Sequence, residues 1–120
     1  RHSFSSDGDS TDVGNMSAAK YREGGSSSLT HGYTTGGNYP YVSALEKYAF
    51  SASADATSVG SIGGSYGSTS GTSATNYGYW AGGGPPNSNQ IEKYSYASDG
   101  DATDVGNLTQ ARRDCGAFHV

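Results

Sequence analysis

Residues 96–109 read Tyr96-Ala97-Ser98-Asp99-Gly100-Asp101-Ala102-Thr103-Asp104-Val105-Gly106-Asn107-Leu108-Thr109. Residues 4–17 read Phe4-Ser5-Ser6-Asp7-Gly8-Asp9-Ser10-Thr11-Asp12-Val13-Gly14-Asn15-Met16-Ser17, identical at nine of fourteen positions. Midway between them the same phase returns, with Ser58-Val59-Gly60 standing where Asp12-Val13-Gly14 and Asp104-Val105-Gly106 stand in the outer copies. The period is 46 residues and it runs without slippage. Gly32-Tyr33 recurs as Gly78-Tyr79, Gly36-Gly37 as Gly82-Gly83, and Glu46-Lys47-Tyr48 as Glu92-Lys93-Tyr94. Self-similarity at one fixed period is the signature of a repeat architecture.

Working outward, the composition of the 120 residues supports a β-rich reading. Val, Leu, Ile and Phe together number 13, so the aliphatic core is small. That level alone is found in disordered chains, and Ser plus Thr reach 30 with 19 Gly. Against disorder stand a net charge of only −4 and 10 Tyr, whose rings bury area while keeping a polar tip. No run of apolar residues is long enough to span a membrane as a helix. Seven basic residues against eleven acidic ones argue against nucleic-acid binding. The single Cys115 has no internal partner and leaves the redox compartment open.

Within each copy the pattern alternates with a period of two. Leu45, Lys47 and Ala49 interleave with Glu46, Tyr48 and Phe50, and Ile91, Lys93 and Ser95 with Glu92, Tyr94 and Tyr96. Ser6-Asp7-Gly8-Asp9 and Ser98-Asp99-Gly100-Asp101 carry turn chemistry. The expected strands of the best-defined copy are 64–75, 77–83, 89–97 and 102–109. Four strands in a repeat of this length match the arithmetic of a β-propeller blade.

Gly78-Tyr79-Trp80-Ala81-Gly82-Gly83, then Gln90-Ile91-Glu92-Lys93-Tyr94, then Leu108-Thr109-Gln110-Ala111-Arg112-Arg113 resembles a kelch-type blade. In that pattern a double glycine closes the second strand, an aromatic sits in the third, and a hydrophobe followed by Arg leads onward. The family's Trp after the third strand is replaced here by the longer loop ending in Asp104-Val105-Gly106. The wording of the repeats is also similar to tandem kelch-like repeats of bacteriophage tail-fibre and adhesin proteins. The resemblance implies an all-β fold of kelch-like propeller blades, about 2.6 repeats being present. Residues 1–17 would form the last two strands of a blade, 18–63 and 64–109 whole blades, and 110–120 the first strand of another. A closed propeller needs more blades than this, so sheet edges at 1–17 and 112–120 are expected to lie open unless another segment or copy covers them.

The candidate site residues carry competing readings. Asp7, Asp9 and Asp12, with Asp99, Asp101 and Asp104, are spaced like the oxygen ligands of a Ca2+ loop. They also read as a turn held by side-chain-to-backbone bonds, and the middle copy carries Ala54, Asp55 and Ser58 in this stretch. No other cofactor is suggested. Asn15-Met16-Ser17 and Asn107-Leu108-Thr109 are glycosylation acceptor sequences at one repeat phase. His2, His31 and His119 share no repeat phase, and no nucleophile elbow, phosphate loop or zinc spacing occurs, so no enzyme is expected.

The segment Asn38-Tyr39-Pro40-Tyr41, opposite Gly84-Pro85-Pro86-Asn87 in the next copy, is where the copies diverge. Its proline restricts φ, and Tyr and Asn suit adaptable contact surfaces. Asn38, Tyr39, Tyr41 and Asn87 are therefore the expected ligand-binding residues, with Asn38, Tyr39 and Tyr41 exposed. Phe4/Phe50/Tyr96, Val13/Val59/Val105, Met16/Ile62/Leu108, Leu45/Ile91 and Tyr33/Tyr79 are the expected packing positions, with Trp80 in the core. The functional expectation is a structural and adhesive repeat module of an extracellular or virion-surface fibre. Its partners would be other copies or neighbouring blades and a host-surface glycan or protein. The alternatives are a purely structural filament or virion decoration subunit completed by pairing between copies, and a piece of a propeller enzyme whose active residues lie in other blades.

Overall fold

The structure, a computed structural model, describes Arg1, Ser5 and residues 7–117. Its described residues hold eight strands and no helix. β1 (Gly24–Ser27), β2 (His31–Thr35), β3 (Ala44–Ala49) and β4 (Thr57–Ser61) form one antiparallel sheet in sequence order. β5 (Ser70–Ser73), β6 (Tyr77–Ala81), β7 (Gln90–Ser95) and β8 (Thr103–Asn107) form a second, ordered the same way. Every strand boundary in the second sheet equals its counterpart in the first plus 46, from Gly24 and Ser70 through to Ser61 and Asn107. Even the register shift recurs, between Leu45 and Glu46 and between Ile91 and Glu92.

Local chemistry explains the turns and one unusual pairing. Ser28 Oγ accepts the N–H groups of Thr30 at 3.2 Å and His31 at 3.0 Å, closing the β1–β2 hairpin. Gly32 lies opposite Tyr48, and Gly78 opposite Tyr94. A Cβ at either glycine would strike the facing phenol ring. The tyrosine covers the glycine, and that is why the Gly-Tyr pairs recur together.

The core lies between the sheets. Tyr33, Leu45, Ile62, Trp80 and Tyr94 are buried, and Val59, Tyr66, Tyr96 and Ala102 pack against them. Tyr33 from the first sheet sits 5.7 Å from the Tyr94 ring and 4.9 Å from the Tyr96 ring of the second. β1 and β5 lie side by side, with Ser27 N–H donating to Ser73 Oγ at 2.8 Å and Ser26 Oγ 2.6 Å from Tyr94 Oη. Aromatic rings do the work that missing aliphatic residues would otherwise do.

Two packing expectations are corrected here. Phe50 is 46 % and Val105 47 % exposed, although Tyr96 and Val59 at the same repeat phase face the other sheet. The reason is position in the array. Tyr96 has the first sheet in front of it and Val59 has the second behind it. Among the described residues, Phe50 has Tyr48 alone as an aromatic neighbour, edge-on at 6.2 Å. Phe4 lies outside the described residues.

At the two ends, the described part of 1–17 and residues 110–117 carry no strand. Thr11 N–H nonetheless donates to Arg1 O at 2.7 Å, in the pairing that Lys47 makes with Thr57 and Lys93 with Thr103. Arg112 N–H donates to Ser88 O at 3.0 Å and Asp114 N–H to Ser68 O at 3.2 Å. Residues 112–114 are thus bonded to loops of the second sheet.

Candidate functional site

The loop after β2 begins at Gly36 and Gly37, with φ of 67° and 130°. The counterparts Gly82 and Gly83 have φ of 68° and 107°. L-residues avoid this region, so the double glycine is demanded by the backbone. Space demands it too, because a Cβ on Gly36 would meet Tyr66 O. Gly37 N–H donates to that same carbonyl at 2.9 Å, and Gly83 N–H makes the equivalent bond to Arg112 O at 2.9 Å. Each β2-type strand therefore ends by clipping its loop to the segment that follows its sheet.

From this frame Tyr39, Pro40 and Tyr41 project. Tyr39 is 81 % and Tyr41 44 % exposed, and with Pro40 they line a shallow apolar depression. Val42 N–H returns to Gly37 O at 3.2 Å and closes the loop. Asn38 is 6 % exposed, contrary to expectation. Its N–H donates to Tyr21 O at 2.8 Å and it takes Tyr21 N–H in return at 3.4 Å, which draws it under the loop. Its side chain fills the space over Gly67, where no Cβ would fit. Asn87 is exposed but belongs to the neighbouring loop and does not line the tyrosine depression. The four expected contact residues thus separate: Tyr39 and Tyr41 together, Asn87 apart, Asn38 in a structural role.

The aspartates face backbone N–H groups and a lysine. Asp12 Oδ1 accepts Gly14 N–H at 3.1 Å and Asp104 Oδ1 accepts Gly106 N–H at 3.0 Å. Asp101 Oδ1 accepts Ser61 N–H at 2.9 Å, and Asp99 Oδ1 lies 2.5 Å from Lys47 Nζ. Asp7 and Asp9 are exposed. Among the described residues no three His, Cys, Asp or Glu side chains gather as metal ligands would. Asn15 and Asn107 are both exposed, and the Asn15 side chain donates to Asp55 Oδ1 at 3.2 Å. His31 Nδ1 lies 2.9 Å from Thr30 Oγ1; His2 and His119 lie outside the described residues.

Sequence reasoning missed the buried carboxyls. Glu46 is 0 % and Glu92 2 % exposed. Glu92 accepts Gly63 N–H with both oxygens, at 3.1 and 3.0 Å, and Trp80 Nε1–H at 2.9 Å. Glu46 accepts the Ser17 hydroxyl and pairs with Lys20 Nζ at 3.1 Å. Ser17 and Gly63 share one repeat phase, so each third-strand Glu grips the chain entering its own sheet. Beside this pair, burial raises the Glu23 carboxyl above its ordinary range despite Lys20 at 3.5 Å. The available signal was Glu recurring at 46 residues on the aromatic face of the strand.

Compared with known proteins, the chain matches no family model and no curated sequence.

Proposed function

We propose that this chain is a non-catalytic repeat module, structural and adhesive, of an extracellular or virion-surface fibre built on kelch-like propeller blades. The observation that carries the reading is the pair Tyr39 and Tyr41, exposed on either side of Pro40 above a hydrogen-bonded loop frame. Aromatic rings held this way stack on sugar faces, while nearby polar groups bond hydroxyls. The ligand class is a cell-surface glycan, and repetition of the scaffold turns weak single contacts into avidity.

A glycan array probed with the intact chain and with Tyr39→Ala/Tyr41→Ala tests this. Binding by the intact chain that the double variant loses supports the reading. Equal signals from both, or none from either, reject the loop as the adhesive face.

A further inference from the structure

Besides the β1–β5 contact and the shared core, one turn of the second sheet grips the edge of the first. Asp99 pairs with Lys47 at 2.5 Å, Gly100 N–H donates to Val59 O at 2.8 Å, and Ser61 N–H donates to Asp101 Oδ1 at 2.9 Å. Ala102 N–H completes the contact by donating to Ser61 O at 2.8 Å. The same contact occurs one repeat earlier. There Asn15 N–H donates to Asp55 Oδ1 at 2.8 Å and Ala56 N–H to Asn15 O at 2.8 Å. Both times the receiving residue is a glycine, Gly60 or Gly14, whose missing Cβ admits the carbonyl of Gly100 or Ala54.

Among the described residues, each half of this contact is also present once without its counterpart. The turn half is Asp7-Gly8-Asp9, exposed throughout, with open space over Gly8. It hangs from the Arg1–Thr11 pairing, which reproduces the base of the Asp99–Asp101 turn. The receiving half is the edge strand β8 of the second sheet, with Val105, Gly106 and Asn107, together with Lys93 on the adjoining β7. Val105 is 47 % exposed and the space over Gly106 is open, whereas the equivalent Val59 packs on the core and Gly60 meets Gly100.

We propose that the Asp7–Asp9 turn of one copy docks on the Lys93/Val105–Asn107 edge of a second copy, joining chains head to tail. Each bond has a precedent within the chain: Asn107 N–H to Asp9 Oδ1 follows a clasp made twice, at Asp55 and Asp101, while Asp7 carboxylate to Lys93 Nζ and Gly8 N–H to Val105 O follow the Asp99–Lys47 and Gly100–Val59 bonds, each made once. Two different surfaces meet, so the contact is heterologous and propagates into a filament or closes into a ring. It goes beyond the adhesive reading and holds whatever the Tyr39–Tyr41 loop touches.

Sedimentation velocity of the intact chain across a concentration series at low ionic strength tests it, with Lys93→Glu, Asp7→Lys and Val105→Arg. All three positions are exposed or half-exposed, and circular dichroism reports whether each variant keeps the fold. The intact chain is expected to associate with rising concentration. Each charge reversal puts like charges together and weakens association about tenfold. Mixing Lys93→Glu with Asp7→Lys restores it, because the new glutamate then faces the new lysine and the native pair meets at the other junction. Val105→Arg, which blocks the edge by bulk, is expected to be monomeric. A chain that stays monomeric throughout overturns the proposal, as do single variants that associate like the intact chain or a mixture that does not recover. Glycan binding is read on separate residues, so either proposal can fail alone.

Discussion

The indole Nε1–H of Trp80 donates to Glu92 Oε2 at 2.9 Å, across a pair of directly opposed residues in β6 and β7, with both side chains sealed from water. The same carboxyl group takes Gly63 N–H from the segment that leads into the second sheet. One acidic side chain thus accepts from two donors in different parts of the chain, the buried Trp80 indole and the N–H of Gly63, a residue at the surface. Glu92→Ala is expected to cost about 2–4 kcal/mol, since it strands the buried Trp80 donor and frees the segment held at Gly63. Glu92→Gln keeps one acceptor oxygen and costs less. Urea unfolding of the two variants provides the comparison, and equal losses would contradict the shared-acceptor role.

Val59 and Val105 share a repeat phase but not an environment. Val59→Ala opens space beside the inter-sheet core and is expected to lose about 1–2 kcal/mol. Val105→Ala sits on the exposed edge and should change stability by less than about 0.5 kcal/mol at concentrations where the chain is monomeric. Thermal melts of the pair separate burial from repeat position.

Tyr39→Ala and Tyr41→Ala should leave the melting temperature nearly unchanged, because the loop frame is built from the Gly36, Gly37 and Asn38 backbone. Asn38→Ala is expected to lower it, by removing a side chain that fills buried space against Gly67. Calorimetry on the three variants distinguishes the exposed tips from their buried support.

Burial pushes the Tyr94 phenol well above its ordinary value of 10, outweighing the Ser26 hydroxyl bond that acts the other way. A raised folded-state pKa gives stability that is complete below the unfolded value. That stability is lost as pH rises past 10, where the unfolded chain releases its proton first. Stability should therefore fall on the alkaline side, and the fall should be shallower in Tyr94→Phe. Denaturant midpoints measured as pH is raised check the slope. An identical slope in both proteins would place the alkaline loss elsewhere.

Much of the fold is legible in the sequence because a fixed period and two-residue alternation carry their own geometry. The expected strands 77–83 and 89–97 contain β6 and β7, and Trp80 lies in the core as its neighbours suggest. Phe50 and Val105 were illegible for a definite reason: a repeat position says which face a side chain takes, not whether another sheet stands against that face. Glu46 and Glu92 were hidden by the rule that carboxylates seek water, which fails where N–H donors converge on them. Asn38 misled because polarity beside two tyrosines resembles a contact loop, while its backbone pairing with Tyr21 joins residues far apart in the chain.

The constant offset of 46 between every pair of equivalent strand boundaries has a genetic consequence. An insertion or deletion of a single codon within a strand would turn every later side chain in it to the opposite face. It would also misplace the Asp55 and Asp101 clasps, each set 40 residues beyond its receiving backbone N–H. Unequal recombination between the in-phase copies escapes both penalties, because it adds or removes one whole unit and restores each clasp to a matching receiver. Descendants of such a gene are expected to differ in length by multiples of 138 base pairs, three for each of the 46 residues in the unit.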